Sequence, residues 1–249
     1  MTGWADLAAE LDAWHGDGRI ATFWWRDDDA TAPSPALDRL LAVQRKHAAP
    51  LMVAVIPARA EPALAERLTG VAGISVVQHG WAHANHAPVG ASKAELGADR
   101  PAALVLGELA RGQIVLDGLF KDWLRVLVPP HNRIAPALAR ALPQAGYLGL
   151  STYNPRRGAI AKLTQVNTHI DIMDWATRGF GGDAAALGLA VKHLRARRAG
   201  TADADEPTGL LTHHLAHDEG AWAFTDRFLT ALADHPAARL VDASGLCRP

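Results

Sequence analysis

The feature that most constrains the fold is an alternation running the length of the chain: short β-forming runs, each followed by a helical pattern. The runs are Ile20–Trp25, Leu51–Ile56, Gly73–Val77, Leu124–Val128, Tyr147–Ser151, Leu163–Asn167, Gly209–Thr212 and Arg239–Val241. Leu51–Ile56 is apolar throughout and stopped by Pro57, the pattern of a strand buried on both faces of a parallel sheet. Trp4, Leu7, Ala8, Leu11 and Trp14 recur at three-and-four spacing and mark an opening helix, ended at Gly16 and Gly18. Ser34-Pro35 starts the next, with Leu37, Leu40, Leu41 and Gln44 on one face. Further helices are expected at Glu61–Leu68, Pro101–Phe120 (Leu104, Leu109 and Leu116 inward), Ile134–Ala145, Ala184–Arg198 and Trp222–Ala233.

Strands alternating with helices imply parallel pairing through helical crossovers, in a barrel or in an open sheet. The polar residues favour the barrel. Asp27–Asp29 follow the first run, His79–His86 the third, Pro129–Arg133 the fourth, Asp171–Trp175 the sixth and His213 the seventh. All lie at C-terminal strand ends, the mouth where (β/α) barrels place their chemistry. The expectation is a single (β/α) barrel over residues 1–249, its core about 20–245, with seven to eight parallel strands.

Three clusters carry the chemistry. His79 and His83, four apart after a strand-like run, bring two imidazoles to one side of a turn, and His86 follows; His213, His214 and His217 form a second group. Together they hold six of the 12 histidines. Asp27, Asp28 and Asp29, after Arg26, are adjacent carboxylates that repel unless a cation, an arginine or protons relieve them. Two imidazoles and a carboxylate are a common ligand set for a catalytic zinc that keeps a position open.

These motifs resemble those of the polysaccharide deacetylases of carbohydrate esterase family four. That family's Thr-Phe-Asp-Asp-Gly falls on Arg26–Ala30, which implies Asp28 as general base and Asp29 as metal ligand; a one-residue shift to Asp27 and Asp28 stays open. Its His-Ser/Thr-x-x-His matches His79-Gly-Trp-Ala-His83, implying that both histidines complete the metal triad. The third motif is partial at Val128–Arg133: Val128 replaces the usual arginine, so Arg133 or Arg26 is left to orient the base, with Pro130 and His131 beside the substrate. Asp171-Ile-Met-Asp174-Trp175 meets the fourth motif, which puts Asp174 in the catalytic set. Leu210-Leu211-Thr212-His213 meets the fifth and makes His213 the general acid. The resemblance covers roughly residues 20–218 and implies a distorted (β/α) barrel and metal-assisted hydrolysis of an acetyl amide or ester, with Zn2+ favoured. Trp81 and Trp175 are candidates for a sugar-stacking wall.

A formal net charge of −1 gives no electrostatic case for nucleic acid or an anionic membrane. No apolar run approaches the ~18 residues of a membrane span. The N-terminal residues read as an amphipathic helix rather than a secretion signal, so the expected setting is cytoplasmic. The expected partner is a small-molecule or oligosaccharide substrate. Cys247, the single cysteine, has no internal disulfide partner.

Overall fold

The apolar runs pair side by side in a parallel sheet. The structure, a computed structural model, describes residues 1–247. Its strands are β1 (Ala21–Ala30), β2 (Leu51–Val55), β3 (Ile74–His79), β4 (Val126–Val128), β5 (Gly149–Leu150), β6 (Thr164–Gln165), β7 (Ile170–Asp171), β8 (Met173–Asp174), β9 (Gly179–Phe180), β10 (Thr208–Thr212) and β11 (Ala238–Leu240). Its α-helices are α1 (Trp4–Gly16), α2 (Pro35–Lys46), α3 (Pro62–Leu68), α4 (Ala102–Leu119), α5 (Pro136–Ala141), α6 (Asp183–Arg198) and α7 (Glu219–Asp234). Eight strands follow one path, β6-β5-β4-β3-β2-β1-β10-β7, and β11 pairs with the start of β1. Every pairing in this sheet is parallel, which gives a curled, barrel-like (β/α) layer. β8 and β9 form a separate antiparallel hairpin.

Period-two alternation decides what each strand buries. On β1, Phe23 and Trp25 join the outer core with Leu7, Leu40, Leu187 and Phe228 from the surrounding helices. Trp24 points the other way and packs with Met52, Ala54, Val77, Val126 and Val128 inside the curl. Arg26 and Asp28 continue the inner row, so the polar end of β1 sits on top of an apolar plug.

The structure departs from the sequence expectations at four places. β1 runs through the acidic residues to Ala30 rather than stopping at Trp25, because Asp27 still pairs with Val53 and Thr212. β7 is a strand of two residues, too short to leave a hydrophobic period, and the expected last strand, as β11, lies off the main path. Leu104 faces solvent, since the buried stripe of α4 is Val105, Leu109, Gly112 and Leu116. Gly112 belongs to that stripe because Gln78 packs where its Cβ would stand, 2.2 Å from the amide nitrogen. Among the described residues, no helix is long and apolar enough to cross a membrane.

Candidate metal centre

The site starts from an irregularity in β1. Between Asp27 and Ala30 the strand uses three steps where β2 uses two, Asp27 opposing Val53 and Ala30 opposing Val55. The extra residue is a bulge, with Asp29 in the left-handed region at φ 75°. In a regular strand Asp28 and Asp29 would face opposite sides; the bulge re-aims Asp29 toward the histidines while Asp28 stays on the inner row.

Asp29 Oδ1 lies 3.2 Å from His79 Nε2 and 3.3 Å from His83 Nε2. Ligands held at zinc–ligand distances in a tetrahedron stand roughly 3.3–3.4 Å apart, so both nitrogens already have that spacing from the carboxylate oxygen, and the three ligand atoms lie within 4.8 Å of one another. Among the described residues, Asp29 Oδ1 is buried with no hydrogen-bond partner, an acceptor that a cation would satisfy. His79 Nδ1–H donates to the Val128 carbonyl at 3.0 Å, which leaves the Nε2 lone pair facing the site. Burial pushes the Asp29 carboxyl up, but the His79 contact and the nearby His213 and His83 outweigh it and hold the group well below the usual carboxylate range. The chemistry and spacing of this donor set fit a divalent metal.

Asp28 stands beside this trio, clamped by Arg26. Arg26 Nη2 donates to Asp28 Oδ2 at 3.0 Å, and Nε contacts Oδ1 at 2.9 Å. The rest of the guanidinium is used up by Asn132 Oδ1 (2.6 Å), Ser151 Oγ (2.6 Å) and the Ser151 carbonyl (3.1 Å). Arg133 does not stand beside Asp28. It is exposed and donates to the Lys93 carbonyl at 3.1 Å, because the left-handed His131 and Asn132 turn the chain so that Asn132, not Arg133, reaches inward.

His213 Nε2 lies 3.9 Å from Asp28 Oδ2, and the half-exposed Trp175 packs edge-on against its ring at 4.6 Å. Trp175 is held by Asp171, which accepts its indole N–H at 2.9 Å. Asp174 is not brought to His213: its carboxylate accepts Ala176 N–H within its own turn, and His213 Nδ1 is buried without a partner among the described residues. His131 joins the group from the other side, its ring 4.6 Å from that of His83, and burial together with that neighbour lowers its pKa to about 4. Pro130 packs under the histidine loop, against Gly80. The Trp81 ring lies under the Arg111 guanidinium of α4, 5.5 Å away.

Asp27 is fully engaged elsewhere. Its carboxylate accepts from Thr212 Oγ1 (2.6 Å), from the His214 backbone N–H (3.0 Å) and from His214 Nδ1. That separates it from the trio of Asp29, His79 and His83. Asn132, Ser151, Thr212 and Glu95 are site-shaping residues that the sequence motifs did not single out; only the Arg26–Asp28 spacing of two hinted at their shared face.

His169, His193 and Glu206 form a second buried cluster of metal-binding residue types. They are not aimed at one ion. His169 Nδ1 accepts the Gly209 N–H at 3.0 Å, so the neutral ring carries its proton on Nε2, 3.6 Å from Glu206. The two rings stack with centroids 3.4 Å apart and planes 12° apart, so an ion in the plane of one lies out of the plane of the other. Glu206 also accepts the Arg156 N–H at 2.9 Å, and the cluster clasps the connector before β10.

No protein-family model and no curated protein matches the sequence. Solved structures do match. A Mycobacterium smegmatis protein described as a polysaccharide deacetylase is 18% identical with a TM-score of 0.62, over 93% of this chain and 90% of that one. The chain has the polysaccharide deacetylase fold. A family 4 carbohydrate esterase from Streptomyces lividans, solved with acetate, shares it at 16% identity and a TM-score of 0.54, over 86% and 88% of the two chains. So does a Bacillus anthracis pseudoenzyme of carbohydrate esterase family four, at 11% identity and 0.56, over 88% of this chain and 63% of that one. The deacetylase fold thus carries active and inactive proteins, and the side chains must decide between them.

Proposed function

We propose that this protein is a metal-dependent hydrolase that removes an acetyl or similar acyl group from an N-acetylated sugar or a related amide. One observation carries the reading: a bulged strand presents Asp29 to two imidazole Nε2 atoms and, one residue earlier, presents Asp28 clamped by Arg26 with His213 opposite. Asp29, His79 and His83 would hold the ion, and zinc suits their nitrogen and oxygen donors. A bound ion of this kind polarises an acyl carbonyl and lowers the pKa of water. Asp28, its carboxylate fixed by Arg26, takes the proton of the attacking water, and His213, reaching the site through Nε2, gives one to the departing amine. Trp175, half-exposed and braced by Asp171, offers a flat apolar wall for the substrate, and His131, packed on His83, offers a second contact.

A second reading, a non-catalytic carbohydrate- or metal-binding domain, has one observation behind it. Among the described residues, His213 Nδ1 has no hydrogen-bond partner to fix the orientation of the ring.

Metal content of untagged protein, measured by plasma mass spectrometry beside turnover of acetylated glucosamine oligomers and small N-acetyl amides, separates the two. The hydrolase reading expects one divalent ion per chain, lost in Asp29→Asn and His79→Ala. Asp28→Asn and His213→Ala should keep the ion and lose about 10²–10⁴ in turnover. Bound metal with no turnover of any substrate supports the binding domain, and a parent protein that takes up no divalent ion overturns the hydrolase reading and leaves only a carbohydrate-binding domain.

A further inference from the structure

His79 and Asp29 are set by paired strands, but His83 sits on an irregular loop and its φ of 57° lies in the left-handed region. Something must hold it. Glu95, 14 residues further on from Trp81, is wholly buried beneath this loop. Its Oε2 accepts the Trp81 N–H at 2.9 Å, and its Oε1 accepts the Ala82 and Ala84 N–H groups at 2.8 and 3.2 Å. The peptides before and after His83 are thus both tied to a single carboxylate. The loop can close onto it only because residue 80 is glycine: a Cβ there would stand 2.1 Å from Glu95 Oε2 and 2.5 Å from the Pro130 ring, at a φ of 56°. Glu95 is itself anchored by its neighbour Leu96, fully buried, which bridges to Ile134 and accepts the Ala135 N–H at 2.8 Å.

We propose that Glu95 is a positioning residue of the metal centre, fixing the backbone of the Gly80–Ala84 loop so that His83 Nε2 is presented to the ion. This rests on the metal-hydrolase reading. A carboxylate is suited to the task because it accepts several N–H groups at once, in charge-assisted hydrogen bonds stronger than neutral ones. An amide in its place offers one acceptor oxygen and turns an NH2 toward a backbone N–H. Gly80 and Glu95 form one device, each requiring the other.

The test is Glu95→Gln, with metal affinity measured by competition with a chromophoric chelator and ligand geometry read from the visible spectrum of the Co2+ form. Both are recorded where circular dichroism shows the metal-free protein folded. Loss of a residue that orients a ligand typically costs about 10–100-fold in metal affinity, and that loss is expected here together with an altered Co2+ spectrum. Glu95→Asp, which keeps the charge but withdraws it by one methylene, should fall between parent and Glu95→Gln, and serves alone if Glu95→Gln does not fold. Parent affinity and parent spectrum in a folded variant would overturn the proposal and leave the hydrolase reading standing. A parent protein that binds neither Zn2+ nor Co2+ overturns both.

Discussion

Arg26 has no exposure at all, and every group it meets comes from a different part of the chain: Asp28 on its own strand, Asn132 after β4, Ser151 after β5. A buried guanidinium is tolerable only when its fork is satisfied, and here its planar geometry serves three partners at once. Lysine cannot do this, having a point charge and no fork. Arg26→Lys should therefore keep the metal and lower kcat by about 100-fold, the scale of a misplaced catalytic group. Removing the charge outright, in Arg26→Met, should destabilise the fold by about 3–5 kcal/mol in urea titration. Unchanged kcat would mean that Asp28 needs no clamp. The pairing was half-legible in the sequence: residues two apart on a strand share a face, which favours Arg26 over Arg133. What the sequence concealed was the pair of left-handed residues that sends Arg133 outward, since His and Asn, though enriched at positive φ, adopt it in only a minority of cases.

Where an element is long and periodic, its pattern is plain in the sequence. α2 buries Leu37, Leu40, Leu41 and Gln44, the stripe its spacing predicts, and Ser34 caps it by accepting the Leu37 N–H at 3.0 Å. The β1 bulge has no such signature, and neither does a two-residue strand such as β7; both are set by neighbours. The junction of α6 with β10 is likewise a tertiary product. There His193 is buried, with Nδ1 against Thr208 Oγ1 at 2.9 Å, and burial, His169 and Arg197 push its pKa down to about 2. The fold therefore holds it neutral while the unfolded chain protonates near pH 6.5. Its stabilisation is full above that value and is lost as pH falls toward the folded value, at up to about 1.4 kcal/mol per pH unit. Urea unfolding at pH 7, 6 and 5 should show this decline, and His193→Gln should have a shallower one by about a single proton. An equal slope in the variant would show that His193 is protonated in the folded protein.

Across the whole molecule, the sheet order joins residues far apart in sequence. β3, β2, β1 and β10 are neighbours, so His79, Asp28, Asp29 and His213 meet at one mouth although 185 positions separate Asp28 from His213. An ion at Asp29, His79 and His83 would bridge β1 to the loop after β3, across β2, and would bind the folded chain alone. Such binding stabilises by mass action, about 2.7 kcal/mol when free ligand is 100-fold above Kd. For a chain of this length that is about 5–10 °C in Tm. Thermal unfolding with Zn2+ and with a chelator should differ by this amount in the parent. The same experiment decides the aspartate register, which three carboxylates in a row leave open in the sequence. Asp27 already spends both oxygens on Thr212 and His214, whereas Asp29 Oδ1 has no hydrogen-bond partner among the described residues. Asp29→Asn should abolish the metal-dependent shift; Asp27→Asn should lower both Tm values and leave the difference between them. A shift that survives Asp29→Asn and is lost in Asp28→Asn would move the ligand to Asp28 and the proposed base to Asp27, because the bulge would then be aiming the wrong carboxylate at the histidines.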